Sequence, residues 1–204
     1  MPMNDVPMIM RIREQWILIV GGGRIGSRRY RRLRELTDHV RVVALETKLE
    51  GPEIYRRAFT PDDLEGVSWV IAATDDDALN ERIAHLCRER NIAVDVVSDS
   101  SLSDFQIPSF HQRGDLLVSI STRGASPAYA RQLAEEIDAM LPDTVAEVLE
   151  EMKRVREVYR ARIPDQKHRA VFYRKVLAYL LEQRPPFSAD AIEAIAEETM
   201  NEND

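Results

Sequence analysis

Three glycines, Gly21, Gly23 and Gly26, follow the apolar run 17–20 with the spacing G-x-G-x-x-G. Between a strand and a helix, the first glycine of this pattern allows a tight turn, the second lets the backbone approach a pyrophosphate, and the third lets the helix pack closely on the strand. The N–H groups and the positive end of that helix can then bind phosphates. The pattern therefore predicts a dinucleotide site, with a purely structural glycine turn as the alternative. The predicted cofactor contacts in this loop are Gly21, Gly22, Gly23, Arg24, Ile25 and Gly26.

Two later stretches carry polar residues that could complete such a site. Glu46 follows the apolar run 40–45, roughly 20 residues beyond the glycines, where a carboxylate commonly binds a ribose 2′-hydroxyl. Its charge would repel a 2′-phosphate, so in that role it favours NAD over NADP; an ordinary surface glutamate is the alternative. Thr74 and Asp75 follow the apolar run 69–73, at the carboxyl end of a predicted strand, where open α/β sheets bind ligands. They are predicted to contact the ribose or nicotinamide side of the cofactor, unless they serve only to cap the next helix.

These residues are positioned by a predicted alternation of strands and helices. Apolar runs predict strands at 17–20, 40–45, 69–73 and 92–97, and helical patterns cover 25–36 and 74–90. Strands that are apolar throughout are typical of a parallel sheet covered on both faces. The order therefore predicts an α/β fold with a Rossmann-type, doubly wound, mostly parallel sheet. The spacing of Thr74 and Asp77 is that of a capping box at the start of the second helix.

The second half of the chain has a different pattern. Strands are predicted at 105–110 and 116–120 around the turn 112–115, and helices at 127–140, 143–162, 165–182 and 188–200. Ser126 is a suitable N-cap for the first of these helices, and Pro127 a suitable first residue. We predict three segments: an NAD-binding domain at 1–104, a small α+β dimerisation and active-site segment at 105–141, and a C-terminal helical domain at 142–204.

Composition excludes several classes of function. The 44% hydrophobic fraction is enough for a core, and the net charge of −7 argues against general nucleic-acid binding. No segment approaches the roughly 20 consecutive apolar residues of a membrane span, and no signal-peptide pattern is recognised. Cys87 is the only cysteine, so a cysteine-based zinc site is excluded. We expect Cys87 to be buried. We expect a cytoplasmic protein without membrane association.

Four motifs together identify a family resemblance. They are Ile-Val-Gly-Gly-Gly at 19–23, Ala-Ala-Thr-Asp-Asp-Asp at 72–77 with Asn80, Gln-Ile-Pro-Ser at 106–109, and Ile-Ser-Thr-Arg-Gly-Ala-Ser-Pro at 120–127. In this order and spacing, over 17–141, the chain resembles the precorrin-2 dehydrogenase family of siroheme biosynthesis. That family includes sirohydrochlorin ferrochelatase and the front half of the fused siroheme synthases. The last motif is the most specific, because ordinary dinucleotide-binding domains lack it.

The resemblance implies NAD-dependent oxidation of precorrin-2, a reduced tetrapyrrole, to sirohydrochlorin. It also implies a homodimer, in which the middle strands and the following helix exchange contacts across a two-fold axis. In this family the active site lies between the nucleotide and helical domains. An isologous interface suits the small middle segment, which can bury little surface alone.

One departure from the family bears on catalysis. Members with both dehydrogenase and chelatase activity usually have Asp directly after the fourth of the predicted strands, whereas this chain has Ser98 followed by Asp99. We therefore expect Asp99 or Asp104 to replace that catalytic Asp. Its carboxylate would accept the proton that the substrate loses together with the hydride. The alternative for both acids is to satisfy N–H groups of the loop. Dehydrogenation alone is favoured over a bifunctional enzyme, and the catalytic candidates are Ser98, Asp99 and Asp104.

Precorrin-2 carries many carboxylates, so an acidic protein needs a local basic surface to bind it. Cationic candidates near the middle motifs are Arg113, Arg123, Arg131 and His111, and neutral donors are Ser121, Thr122 and Ser126 with the helix N-terminus. His111 has no second ligand at metal-binding spacing, so no metal site is predicted. These assignments rest on the resemblance and on residue type.

Two other classes of protein remain open at this stage. Nucleotide-sensing regulatory domains of potassium-uptake systems also have a glycine loop, an acid like Glu46 and a similar strand end. They do not need the 106–108 or 121–127 motifs. A catalytically inactive paralogue that serves as a scaffold is the second alternative.

Overall fold

The computed structural model describes residues 5–201, and the chain divides into two compact units, Met1–Ile107 and Pro108–Asp204. In the first unit, the helices and strands are β1 (Trp16–Val20), α1 (Arg24–Arg34), β2 (Val40–Ala44), β3 (Ile54–Arg56), β4 (Val67–Ala72), α2 (Asp77–Glu89) and β5 (Ala93–Val96). Single 3₁₀ turns occur at Pro61–Leu64 and Ser100–Leu102.

The five strands form one sheet in the order β3-β2-β1-β4-β5, and every pairing is parallel. The predicted doubly wound sheet is therefore confirmed, and it contains no antiparallel strand. The chain moves outward from β1 to β3 and then crosses to β4 on the other side of β1. This reversal puts the carboxyl ends of β1 and β4 beside each other, which is the position where sheets of this kind bind ligands.

Side chains of β1 alternate between two cores, one on each face of the sheet. Leu18 and Val20 belong to the core that α2 covers, whereas Ile17 and Ile19 belong to the core that α1 covers. This double burial explains the unbroken apolar pattern. Cys87 lies in the first of these cores and is fully buried, as predicted, and burial raises the pKa of its thiol to about 12.

The second unit contains β6 (Ser109–Arg113), β7 (Leu116–Ile120), α3 (Pro127–Met140), α4 (Val145–Arg162), α5 (Gln166–Glu182) and α6 (Ala189–Asn201). The two strands form an antiparallel hairpin, and α3 packs against it. Helices α4, α5 and α6 enclose a core around Phe172, Val176 and Leu180. The division into a dimerisation segment and a helical domain stays a prediction. No described helix is long and apolar enough to cross a membrane.

Two local predictions were wrong. The helix α2 is capped by Asp76, whose side chain accepts a hydrogen bond from the Leu79 N–H, and not by Thr74. The hairpin's first strand begins at Ser109 and not at Phe105. In both cases the local sequence pattern allows more than one residue to begin the helix or strand. Contacts with other parts of the unit decide where it begins.

Candidate dinucleotide-binding site

The glycine loop joins β1 to α1 at the carboxyl edge of the sheet. Gly21 has a φ of +113°, and a Cβ atom there would overlap the carbonyl group of Ala73 at the end of β4. A Cβ atom at Gly26 would overlap the Gly21 carbonyl oxygen. Any side chain at these two positions would therefore force β1, β4 and α1 apart, so both glycines are required by packing.

Gly23 is different, because nothing lies within 4 Å of the position where its Cβ would be. It is exposed and immediately precedes α1, whose first turn contains no acidic residue. The first N–H groups of a helix have no partner within the helix, so they are free to donate to an anion. Arg24, the first residue of α1, is also exposed. Gly23 therefore lies at an open position beside the N–H groups that begin α1, as a pyrophosphate site would require.

Glu46 lies beside this loop, just beyond the end of β2. A Cβ atom at Gly22 would meet the Glu46 carbonyl oxygen at 2.5 Å, so the two backbones are in close approach. The Glu46 side chain is exposed. Its place at the carboxyl end of the strand next to β1 is the one expected of a ribose-binding carboxylate.

A buried asparagine connects the ends of β4 and β5. Asn80 on α2 is 1% exposed; its Oδ1 accepts from the Thr74 hydroxyl at 2.7 Å and from the Thr74 N–H at 3.3 Å. Its Nδ2 donates to the Thr74 carbonyl at 3.0 Å and to the Ser98 hydroxyl at 3.3 Å. The structure thus brings together Thr74 and Ser98, two predicted site residues. Asn80 belonged to the recognised motif, but its function as the link between them was not predicted. Asp75, next to Thr74, is exposed.

The two candidate acids lie in the loop after β5, and both accept hydrogen bonds from backbone N–H groups. Asp99 Oδ1 accepts from the Ser101 N–H at 2.8 Å, and the hydrogen bonds from Ser101 lower the pKa of Asp99. Asp104 Oδ2 accepts from the Val94 N–H at 3.0 Å, and the Asp104 N–H donates to the Val94 carbonyl at 2.8 Å. Both acids therefore contribute hydrogen bonds that hold the loop together, and a catalytic role for either of them stays a prediction.

An ion pair joins α1 to β5, between the half-buried Arg29 and the buried Asp95. Arg29 Nη2 lies 3.7 Å from Asp95 Oδ2, and Arg29 Nη1 donates to the Ile107 carbonyl at 3.0 Å. Burial lowers the pKa of Arg29 and raises the pKa of Asp95. In both residues this effect exceeds that of the opposite charge, which shifts the pKa in the other direction. Neither Arg29 nor Asp95 was among the predicted site residues, because an arginine in a basic helix and an acid in an apolar strand have no local sequence signature.

The predicted substrate residues lie in the second unit, most of them in the loop that precedes α3. Ser121 Oγ accepts from the Arg123 N–H at 3.1 Å, Thr122 Oγ1 accepts from the Ser126 N–H at 3.1 Å, and Ser126 caps α3 by accepting from the Tyr129 N–H. Arg123 is exposed and has a φ of +53°. These bonds use the hydroxyl oxygens as acceptors, so the O–H groups can still donate to a ligand.

Arg113, also predicted to bind substrate, forms a two-pronged ion pair with Asp138 of α3. Both N···O distances are 2.9 Å, and the pair raises the pKa of Arg113 and lowers the pKa of Asp138. Its charge is therefore largely compensated within the unit. His111 is half-buried and lines a small cleft with Arg113 and Asp138. Within residues 5–201, no group of three or more His, Cys, Asp or Glu side chains is placed to hold a metal ion.

Comparison with known proteins decides the family. Residues 8–109 match the family described as "Putative NAD(P)-binding". The chain belongs to this NAD(P)-binding family. The match spans the glycine loop, Glu46 and the Thr74–Asn80–Ser98 contacts, and it confirms the predicted class of cofactor.

Curated relatives match beyond this region. The chain is 33% identical over 180 residues to the siroheme synthase of Ectopseudomonas mendocina, and 34% identical over 184 residues to that of Thioalkalivibrio sulfidiphilus. These alignments cover 85% and 86% of this chain but 39% and 37% of the relatives, so the chain spans about two fifths of their length. The predicted resemblance to the front part of the siroheme synthases is confirmed.

A solved structure shares the fold. The protein named "SirC, precorrin-2 dehydrogenase" superposes with a TM-score of 0.70, covering 97% of this chain and 100% of its own, at 20% sequence identity. The predicted Rossmann-type sheet followed by helices is thus confirmed as an architecture.

Proposed function

We propose that this chain oxidises precorrin-2 to sirohydrochlorin, with NAD as the hydride acceptor. The observation that carries the proposal is the open space at Gly23, at the N-terminus of α1, in a chain whose curated relatives are siroheme synthases. Those alignments include the second unit, which a nucleotide-sensing domain would not need. The name of the structural neighbour supports the same reaction.

In this proposal the first unit holds NAD. The N–H groups of α1 and the glycine loop bind the pyrophosphate, and Glu46 accepts a hydrogen bond from the ribose and disfavours a 2′-phosphate. Thr74 and Asp75 contact the nicotinamide side, with the orientation of Thr74 fixed by Asn80. When bound, the cofactor would supply the hydride acceptor. The protein would hold the nicotinamide in one orientation relative to the substrate.

The proton lost from the substrate passes to a carboxylate, and we favour Asp104. Its Oδ1 accepts no hydrogen bond from residues 5–201, whereas Oδ2 is fixed by the Val94 N–H. Asp99 is the second candidate, but its lowered pKa makes it a weaker base. We propose that Ser98 orients the substrate beside them. The hydroxyls of Ser121, Thr122 and Ser126, with Arg123, then bind substrate carboxylates.

We also propose that the active protein is a homodimer built on the hairpin. No residue of β6 or β7 is buried, and a two-stranded sheet alone is marginally stable. Leu117 on β7 is 42% exposed and Met140 at the end of α3 is 81% exposed. In light scattering, Leu117→Lys should yield monomers. Leu181→Lys, at an exposed apolar position on α5, should stay dimeric; a monomeric wild-type chain would contradict the proposal.

The cofactor assignment is tested with Gly23→Leu. A Cβ atom here meets nothing within 4 Å and Gly23 is exposed, so the variant should fold normally while its side chain occupies the proposed pyrophosphate position. We expect NAD binding, measured by calorimetry, to be lost. Ala128→Leu, which places the same side chain in the exposed first turn of α3, is the control. Normal NAD affinity in Gly23→Leu would refute the assignment.

The reaction is tested by adding precorrin-2 and NAD and following the visible spectrum of the product. Asp104→Asn keeps an acceptor for the Val94 N–H but removes the base, so turnover should fall by roughly 100-fold or more with NAD affinity unchanged. Asp99→Asn is the matched variant. An unaltered rate in Asp104→Asn removes Asp104 from the mechanism, and no reaction in the wild type contradicts the proposed function. Adding ferrous iron to the same assay tests the bifunctional alternative.

A further inference from the structure

A groove in the second unit lies between the long helices α4 and α5 and is not part of the site described above. Its volume is about 640 Å³, within the usual range for small-molecule sites. The apolar part of its lining comes from Leu149 and Met152 of α4 and from Tyr173 of α5. Met152 is buried and the other two are half-buried, so the floor of the groove is apolar and fixed.

The rim of the groove is basic. Lys153, Arg156 and Arg160 recur along one face of α4, and Arg169 joins them from α5. The only acids in the lining are Asp115 and Glu157. Four cationic groups against two carboxylates make a local positive surface in a chain whose net charge is −7.

Among the described residues, none of the three arginines in the lining has a carboxylate partner, but the Arg169 guanidinium is already bound to backbone carbonyls. Lys153 lies 3.5 Å from Asp115, and Arg169 Nη1 donates to the backbone carbonyls of Ile163 and Pro164. In the part of the chain that the structure describes, Arg156 and Arg160 form no ion pair. They differ in this from their neighbours Arg154 and Arg162, which pair with Glu151 and Glu193.

The Arg156 guanidinium is instead held over an aromatic ring. Its Cζ lies 4.9 Å from the centre of the Tyr173 ring, and the Tyr173 hydroxyl donates to the Arg156 carbonyl at 3.4 Å. This stacking orients the guanidinium while its N–H donors stay available. A carboxylate at the rim would find a pre-positioned partner, and a flat apolar group could pack on the floor below.

We propose that this groove binds a small polycarboxylate with a flat, apolar body, through Arg156 and Arg160 at the rim and Tyr173 and Met152 at the floor. The choice of a tetrapyrrole carboxylate as the member of this class rests on the proposed function. Bidentate arginine–carboxylate bonds supply the specificity, and the apolar floor distinguishes the ligand from simple anions. The groove then serves to hold carboxylate side chains of the macrocycle.

The test uses the whole 204-residue chain and uroporphyrin, a stable porphyrin whose ring substituents all end in carboxylates. Binding is followed by quenching of porphyrin fluorescence for wild type, for the double variant Arg156→Gln/Arg160→Gln, and for Arg154→Gln. The last is the control, since Arg154 is equally exposed on the same helix but is paired with Glu151 and does not line the groove. The loss of two charge-assisted contacts should weaken binding by at least roughly tenfold in the double variant. Arg154→Gln should bind like wild type.

Three outcomes overturn the inference. The first is equal affinity for uroporphyrin in all three proteins. The second is that Arg154→Gln loses as much affinity as the double variant, and the third is tighter binding of poly-glutamate than of uroporphyrin. The second would indicate a general charge effect, and the third an acidic protein partner. The test is independent of catalysis. If precorrin-2 is not oxidised but uroporphyrin binding still depends on Arg156 and Arg160, the groove assignment holds and the proposed reaction fails. If oxidation occurs and the double variant binds normally, only the groove assignment fails.

Discussion

Replacing Arg29 with methionine should destabilise the first unit by about 3–5 kcal/mol at neutral pH. Asp95 is 4% exposed, and in the described part of the chain its Oδ2 has no hydrogen-bond partner. Arg29 is the one cation within 4 Å of it among those residues. Methionine keeps much of the aliphatic contact but removes the counter-charge, so the cost comes from an uncompensated buried carboxylate.

The loss should depend on pH. The pKa of Asp95 is already raised above its unfolded value by burial, so the folded state binds this proton more tightly than the unfolded chain. Between the two pKa values the folded state holds more protons, and the free energy of unfolding therefore falls as pH rises. Without Arg29 the pKa of Asp95 rises further, so the destabilisation of the variant should shrink as the pH is lowered from neutral and Asp95 takes up its proton.

Removing both charges should be far less costly than removing one. The N···O distance of 3.7 Å is too long for a hydrogen bond, and burial dominates the pKa shifts of both partners. Arg29→Met/Asp95→Leu should therefore lie near wild-type stability or above it. Urea unfolding followed by tryptophan fluorescence reports on this unit, because Trp16 and Trp69 both belong to it.

A control on the same helix sets the scale. Arg34→Met breaks an exposed pair with Asp38 and should change stability by less than about 1 kcal/mol. If Arg29→Met costs no more than this control, Asp95 does not depend on Arg29 for its stability in the core. The same conclusion follows if the double variant is as unstable as Arg29→Met.

Three further predictions concern the carboxyl edge of the sheet. Glu46→Gln should weaken NAD binding about tenfold and strengthen NADP binding, because the charge that repels the 2′-phosphate is removed, as measured by calorimetry; an unchanged preference would make Glu46 a surface residue. Asn80→Ala should cost about 1–3 kcal/mol in urea unfolding, because it leaves the Thr74 backbone and the Ser98 hydroxyl without their partner; wild-type stability would show that these bonds contribute little. Gly21→Ala should destabilise the unit by more than about 1 kcal/mol, since alanine disfavours a positive φ and overlaps the opposite strand end; a stable variant would contradict the observed turn.

Much of the architecture could be predicted because its signals are local. Helix α3 begins and ends at the predicted residues 127 and 140, since Ser126 and Pro127 define its start by side-chain and backbone chemistry alone. The spacing of Gly21, Gly23 and Gly26 predicted the tight turn between β1 and α1 for the same reason. Strand positions followed from uninterrupted apolar runs.

Contacts between distant residues could not be predicted in this way. Thr74 has the sequence pattern of a helix cap, but the buried amide of Asn80 takes its hydroxyl, and Asp76 caps α2 instead. Arg113 has the residue type of a substrate-binding cation, yet Asp138, 25 residues away, compensates its charge. Each outcome depends on which partner the fold brings near, and local patterns contain no information on that.

The sequence by itself therefore determined the parallel α/β sheet, the glycine turn and the kind of ligand that turn accepts. Tertiary structure decided which polar groups are left to act there. It bonded Asp99 and Asp104 to backbone N–H groups, placed Arg29 against the buried Asp95, and, among residues 5–201, left Arg156 and Arg160 without an ion pair at the rim of the groove. The physical reason is that backbone conformation follows from neighbours in the chain, whereas charge compensation and hydrogen-bond partners follow from neighbours in space.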